Sequence, residues 1–64
     1  MVKVNGVFLH IAGKTLAQHL ADTDCDGSRV AVELNGQIVP RRLFGETVLK
    51  NGDTVEIVSF VGGG

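Results

Sequence analysis

Val2-Lys3-Val4-Asn5-Gly6-Val7-Phe8-Leu9-His10-Ile11 is the stretch from which the fold can be read. Asn-Gly between apolar alternating residues marks a two-residue hairpin, because a type I′ turn needs positive φ at both central positions. A turn at Asn5-Gly6 sets Val4 opposite Val7 and Val2 opposite Leu9. Strand alternation then places Val2, Val4, Val7, Leu9 and Ile11 on one face, with Met1, Lys3, Phe8 and His10 on the other. One register satisfies both the turn and the hydrophobic pattern.

Working outward, Gly13 breaks the second strand, and Thr15-Leu16-Ala17-Gln18 reads as a capping box with Thr15 as N-cap. The helix that follows is short, residues 16–22, with Leu16, Ala17 and Leu20 directed to the sheet. A polar, acidic loop covers residues 23–28. Val30, Val32 and Leu34 alternate inward along a third strand, Asn35-Gly36 turns into a short strand over 37–39, and Pro40 ends it. Residues 41–50 form a connection with room for a 3₁₀ turn. Asn51-Gly52-Asp53 leads into the last strand, Thr54 to Phe60. That strand is apolar at Val55, Ile57, Val58 and Phe60, as a central strand is, and is expected beside the first. The order predicts an α+β fold, a β-grasp with a mixed four- to five-stranded sheet curled around one helix. The domain is expected over residues 1–61, with a flexible glycine tail over 62–64. Ile57→Ala is expected to cost about 2–5 kcal/mol if the last strand is central.

Sixty-four residues bury only about 60 % of their unfolded surface, so the core is small. The single Cys25 forms no internal disulfide, and no Cys/His cluster has metal-ligand spacing. One unpaired thiol fits a reducing compartment. No signal peptide and no apolar run of about 20 residues is present, so no membrane association is expected and the expected location is cytoplasmic. Six basic and seven acidic residues, well mixed, argue against nucleic-acid binding.

Candidate chemistry within the domain is sparse. Gly13-Lys14-Thr15 mimics the end of a phosphate-binding loop, but Phe8 stands where the first glycine is needed. Cys25 lies between Asp24 and Asp26, which suppress the thiolate, and reads as an exposed loop residue. His10 and His19 have no partner constellation and read as surface or partly packed residues. Arg41 and Arg42 follow a rigid Pro40 and can pair with a partner's carboxylates, or simply keep the surface soluble. Val58 and Phe60, on the face away from Val55 and Ile57, make an apolar patch for a partner. Gly62-Gly63-Gly64 is either a frayed end or a thread of roughly 10 Å that carries a carboxylate into a narrow channel. In the second reading the working group is the carboxyl of Gly64, and another protein must activate it with ATP.

Asn5 after a first strand, Thr15-Leu16 at the helix start, Val30-Ala31-Val32 followed by Asn35, Ile38-Val39-Pro40-Arg41, Asn51-Gly52-Asp53, Val55-Glu56-Ile57-Val58 and the final Gly63-Gly64 together resemble the ThiS family. The resemblance covers essentially the whole chain. It implies a ubiquitin-like β-grasp and a sulfur carrier for the thiazole ring of thiamine, not an enzyme. It implies adenylation of Gly64 by a ThiF-type enzyme using MgATP, with no cofactor bound by the chain itself. Gly62 and Gly63 would enter the partner's active site. Sulfur would come through a cysteine desulfurase or sulfurtransferase, and the resulting thiocarboxylate would serve a thiazole synthase of the ThiG type. Alternatives are a carrier for molybdopterin or another metabolite, a ubiquitin-like modifier joined to lysines, and a plain binding module with an idle tail.

Overall fold

The computed structural model describes residues 1–60. The glycine tail expected over 62–64, and residue 61, lie outside the described residues. The order is β1 (Val2–Val4), β2 (Val7–Leu9), α1 (Leu16–Asp22), β3 (Val30–Leu34), β4 (Gln37–Val39) and β5 (Thr54–Ser59), with 3₁₀ turns at Gly27–Arg29 and Arg41–Glu46. The predicted hairpin register holds: Val2 pairs with Leu9 and Val4 with Val7. Asn5 and Gly6 have φ of 47° and 85°, and Asn35 and Gly36 repeat this at 52° and 85°. Both pairs therefore have the positive φ values that the strand twist demands of a two-residue turn. The third Asn-Gly differs, for only Gly52 of that pair has positive φ.

The sheet runs β2-β1-β5-β3-β4. β5 is its centre, parallel to β1 and antiparallel to β3 from Val55 to Ser59. This is the β-grasp, an open sheet with edges at β2 and β4 and one helix across one face. Thr15 caps α1 as a capping box: its Oγ1 accepts from the Gln18 N–H, and Gln18 Oε1 accepts from the Thr15 N–H. Seven residues make a helix about 10 Å long, too short to be stable alone. Packing holds it, through Leu16 and Leu20 in a core with Val2, Val4, Val32, Leu49 and Val55. The Arg41–Glu46 turn adds Phe44 to that core. The segment after it lies along the helix start, where the Leu16 N–H donates to Thr47 O and the Leu49 N–H to Lys14 O.

Expectations at five residues are corrected. Val7 is 57 % exposed rather than inward, because one short helix does not cover the edge strand β2. Ala17 faces solvent, and His19 is buried at 5 % exposure. The helix turns its 16/19/20 stripe to the sheet, the i, i+3, i+4 set, and position 17 falls outside it. Cys25 is half-buried against the core. Asp24, at φ 61°, turns the chain back, and the Cys25 N–H donates to Leu20 O at 2.9 Å. Ile57 is only partly buried, whereas Leu16 and Val55 are fully enclosed.

Burial therefore ranks the core substitutions. Leu16→Ala costs about 2–5 kcal/mol, and Ile57→Ala roughly half of that. Urea midpoints measured by circular dichroism are expected to fall in that order. A larger loss for Ile57→Ala would contradict the described packing of β5.

Candidate functional site

The candidate site is the end of β5, where the chain leaves the sheet. β1 flanks β5 only from Lys3–Thr54 to Val4–Val55. Past that point the turn residue Asn5 takes over. Its N–H donates to Val55 O at 2.9 Å. Its side-chain Oδ1 accepts from the Ile57 N–H at 2.7 Å, and its Nδ2 donates to Ile57 O at 3.1 Å. One side chain thus supplies the donor and the acceptor that a longer strand would have offered. On the other flank, at the start of β5, Asn35 Oδ1 accepts from the Thr54 N–H at 2.9 Å, and its Nδ2 donates to Asp53 Oδ1 at 3.0 Å. At the exit, the Phe60 N–H donates to Arg29 O at 2.7 Å. The root of the tail is held from both sides.

The outer face of the sheet is partly apolar. Val58 and Phe60 are 58 % and 60 % exposed, and Phe8 and Ile38 are exposed as well. Lys3 Nζ lies 5.5 Å from the centre of the Phe8 ring, over the cross-strand pair. Val58 and Phe60 place exposed apolar area on the outer side of β5 at the strand exit. Beside the exit an open groove of about 310 Å³ is lined by Asp24, Cys25, Asp26, Arg29, Ser59 and Phe60 among others.

The loop forming that groove is ordered by its own polar groups. Asp26 caps the Gly27–Arg29 turn, accepting from Ser28 Oγ at 2.7 Å and the Ser28 N–H at 2.9 Å. These two bonds hold its carboxyl below the ordinary value of 3.8, with weaker attraction from Arg29 and Arg41. Asp22, in the last turn of α1, is held below the same value by its hydrogen bond to Lys14 Nζ and that ammonium's charge. The pairing answers an acid placed at the unfavourable end of a helix dipole. Thr23 Oγ1 lies 3.3 Å from Cys25 Sγ.

The residues expected to meet a partner fall in two places. Val58 and Phe60 lie on the outer side of β5. Arg41 and Arg42 open the 3₁₀ turn that packs on α1, and both are exposed. Gly62, Gly63 and Gly64 lie outside the described residues. Sequence reading missed the two groups that hold the strand exit. Arg29 acts through its main-chain oxygen, which no side-chain pattern reports. Asn5 was read only as a turn residue, although its pairing with Ile57 spans 52 positions. Among the described residues no three His, Cys, Asp or Glu side chains gather as a metal site, and no helix is long and apolar enough to cross a membrane.

Comparison with known proteins gives one answer. The sequence model described as the ThiS family matches residues 2–64. The crystal structure of the thiamine biosynthesis protein (ThiS) from Geobacter metallireducens superposes with a TM-score of 0.77 at 34 % identity, covering 98 % of this chain and 97 % of that one. A thiazole synthase from Paramagnetospirillum magneticum is 40 % identical over 53 residues, 83 % of this chain. The chain spans only 16 % of that relative's length. A protein of Porphyra purpurea, ycf40, is 34 % identical over 64 residues and 90 % of its own length.

The two depressed carboxyls define an acid response. A folded pKa below the unfolded one gives stability that is present in full above 3.8 and is lost as pH falls through the folded values. Carboxyl titrations followed by NMR are expected to place both midpoints below 3.8. Asp26→Asn is expected to flatten part of the acid loss of stability in that range. Midpoints at or above the ordinary value would contradict the Asp26–Ser28 and Asp22–Lys14 contacts.

Proposed function

The chain belongs to the ThiS family, and from that membership we propose that it is a sulfur carrier for thiamine synthesis whose working group is the carboxylate of Gly64. The observation that carries the reading is the delivery of the chain from the sheet. The central strand, held on both flanks, leaves at Phe60 beside an apolar face, and the sequence continues Val61-Gly62-Gly63-Gly64. Glycines have no Cβ, so a channel that admits the main chain admits this end.

A carboxylate is a poor electrophile, and activation belongs to a partner of the ThiF type that binds MgATP. A Gly64 carboxylate oxygen attacks the α-phosphorus of ATP. The bond from that phosphorus to the bridging oxygen of pyrophosphate breaks, and pyrophosphate leaves. A sulfur nucleophile, supplied by a cysteine desulfurase or sulfurtransferase, then attacks the acyl carbon and expels AMP. Where that nucleophile is the outer sulfur of a donor persulfide, the product is an acyl disulfide. A thiol then attacks its donor-side sulfur, the S–S bond breaks, and a donor–thiol disulfide and the Gly64 thiocarboxylate are released. The acceptor enzyme is a thiazole synthase. A stretch similar to this chain within a longer protein of that name supports the pairing. In this scheme the chain is the substrate of its partners and supplies recognition, while proton transfer and nucleotide binding are theirs. Val58 and Phe60 form the apolar part of the docking surface, and Arg41 and Arg42 add charge-assisted contacts.

Intact-protein mass spectrometry after incubation with activating enzyme, MgATP and a sulfur donor is expected to show one oxygen replaced by sulfur, localised to Gly64. Amidation of Gly64 should abolish it. Sulfur incorporation that survives amidation would overturn the assignment. Phe60→Ser is expected to raise KM for the activating enzyme about tenfold, the loss of one apolar anchor. The melting temperature should hardly change, because the side chain is mostly exposed.

A further inference from the structure

We infer that Asn5 is a positioning residue for the activation of Gly64, acting by fixing the direction in which β5 leaves the sheet. The inference rests on the sulfur-carrier reading and extends it to a residue 59 positions away in sequence. The geometry singles Asn5 out. β1 pairs with β5 only as far as Val55, yet β5 continues to Ser59. On the β1 flank, the Ile57 N–H and C=O would both lack a strand partner. Asn5 meets both, with Oδ1 at 2.7 Å from the nitrogen and Nδ2 at 3.1 Å from the oxygen. Ile57 is three residues before Phe60, whose N–H is held on the opposite flank by Arg29 O. The two attachments together set the height and direction of the strand end, each with a bond on its own side.

The same turn position in the second hairpin provides a matched comparison. Asn35 has nearly the same backbone conformation, with φ of 52° against 47°. It too grips β5 with Oδ1, but at Thr54, the end of the strand remote from the tail. Glycine at either position accepts positive φ without strain and removes only the side chain. Asn5→Gly and Asn35→Gly therefore lose comparable interactions, and only one of them loosens the root of the tail. A structural role alone would make the two variants equivalent in activity.

The test is steady-state release of pyrophosphate by the activating enzyme with each full-length chain as substrate, below the melting temperature of every variant. A small displacement of a reacting group costs up to about 100-fold. Asn5→Gly is expected to lower kcat by about 10- to 100-fold with KM unchanged, because the docking face is intact. Asn35→Gly, with a similar drop in melting temperature, should keep the wild-type kcat. Asn5→Asp keeps the turn and the acceptor for the Ile57 N–H but sets an oxygen against Ile57 O. Its kcat should fall between those of the wild type and Asn5→Gly, and it decides the matter if the glycine variant does not fold. Equal kcat for Asn5→Gly and Asn35→Gly, a change confined to KM, or a wild-type kcat in Asn5→Asp would overturn the inference while leaving the sulfur-carrier reading in place. No pyrophosphate release from the wild-type chain would overturn that reading, and this inference with it.

Discussion

β5 has no hairpin partner of its own; it is inserted between two hairpins and depends on both. β1 lies parallel on one flank and β3 antiparallel on the other. The parallel contact closes about fifty residues of chain, an entropic cost that grows with the logarithm of loop length, and few ladder positions repay it. The turn asparagines make up the difference. Each holds positive φ at its hairpin turn and also hydrogen-bonds the main chain of β5. A glycine would make the turn, but it could not reach the strand. Asparagine at position 5 thus links local turn chemistry to a contact spanning 52 positions, and asparagine at position 35 braces the start of β5 on the opposite flank.

The core follows from the same insertion. Val55 is fully enclosed because β5 is central and α1 crosses above it, together with Leu16 and Leu49. With a single helix, the covered area is limited, so burial falls off toward the edges. Val7 on β2, opposite the buried Val4, is left exposed. The outer face has no covering layer among the described residues, and its charges oppose each other in places, as at Glu33 and Glu56. Like charges across a ladder are mildly unfavourable, whereas solvent screening at an exposed face keeps the cost small.

What could be read beforehand divides along the range of the interactions. The Asn5-Gly6 hairpin, the Thr15–Gln18 capping box and the inward set Val30, Val32 and Leu34 depend on neighbours within a few residues, and all stand in the structure. The place of β5 was legible because apolar residues on both faces mark a central strand. Val7, Ala17, His19 and Cys25 were misplaced for another reason. Their burial depends on the rotation of α1, on how far it reaches across the sheet, and on the backward turn at Asp24. None of these is coded by a residue's immediate neighbours. The strand exit was half legible: Val58 and Phe60 followed from alternation, but the grip of Asn5 on Ile57 joins positions with no shared local pattern.

Alternation along β5 separates three tasks that would otherwise compete. Inward side chains, Val55 and Ile57, hold the core. Outward ones, Val58 and Phe60, are free to meet another protein. The main chain itself carries the attachments to Asn5, Asn35 and Arg29. Because the period is two, a change on one face leaves the other face and the backbone bonds in place. On the proposed function, in which several partners act on one end, this separation is an advantage. The outer face can vary without loosening the fold, and the strand exit at Phe60 can stay fixed while that face changes.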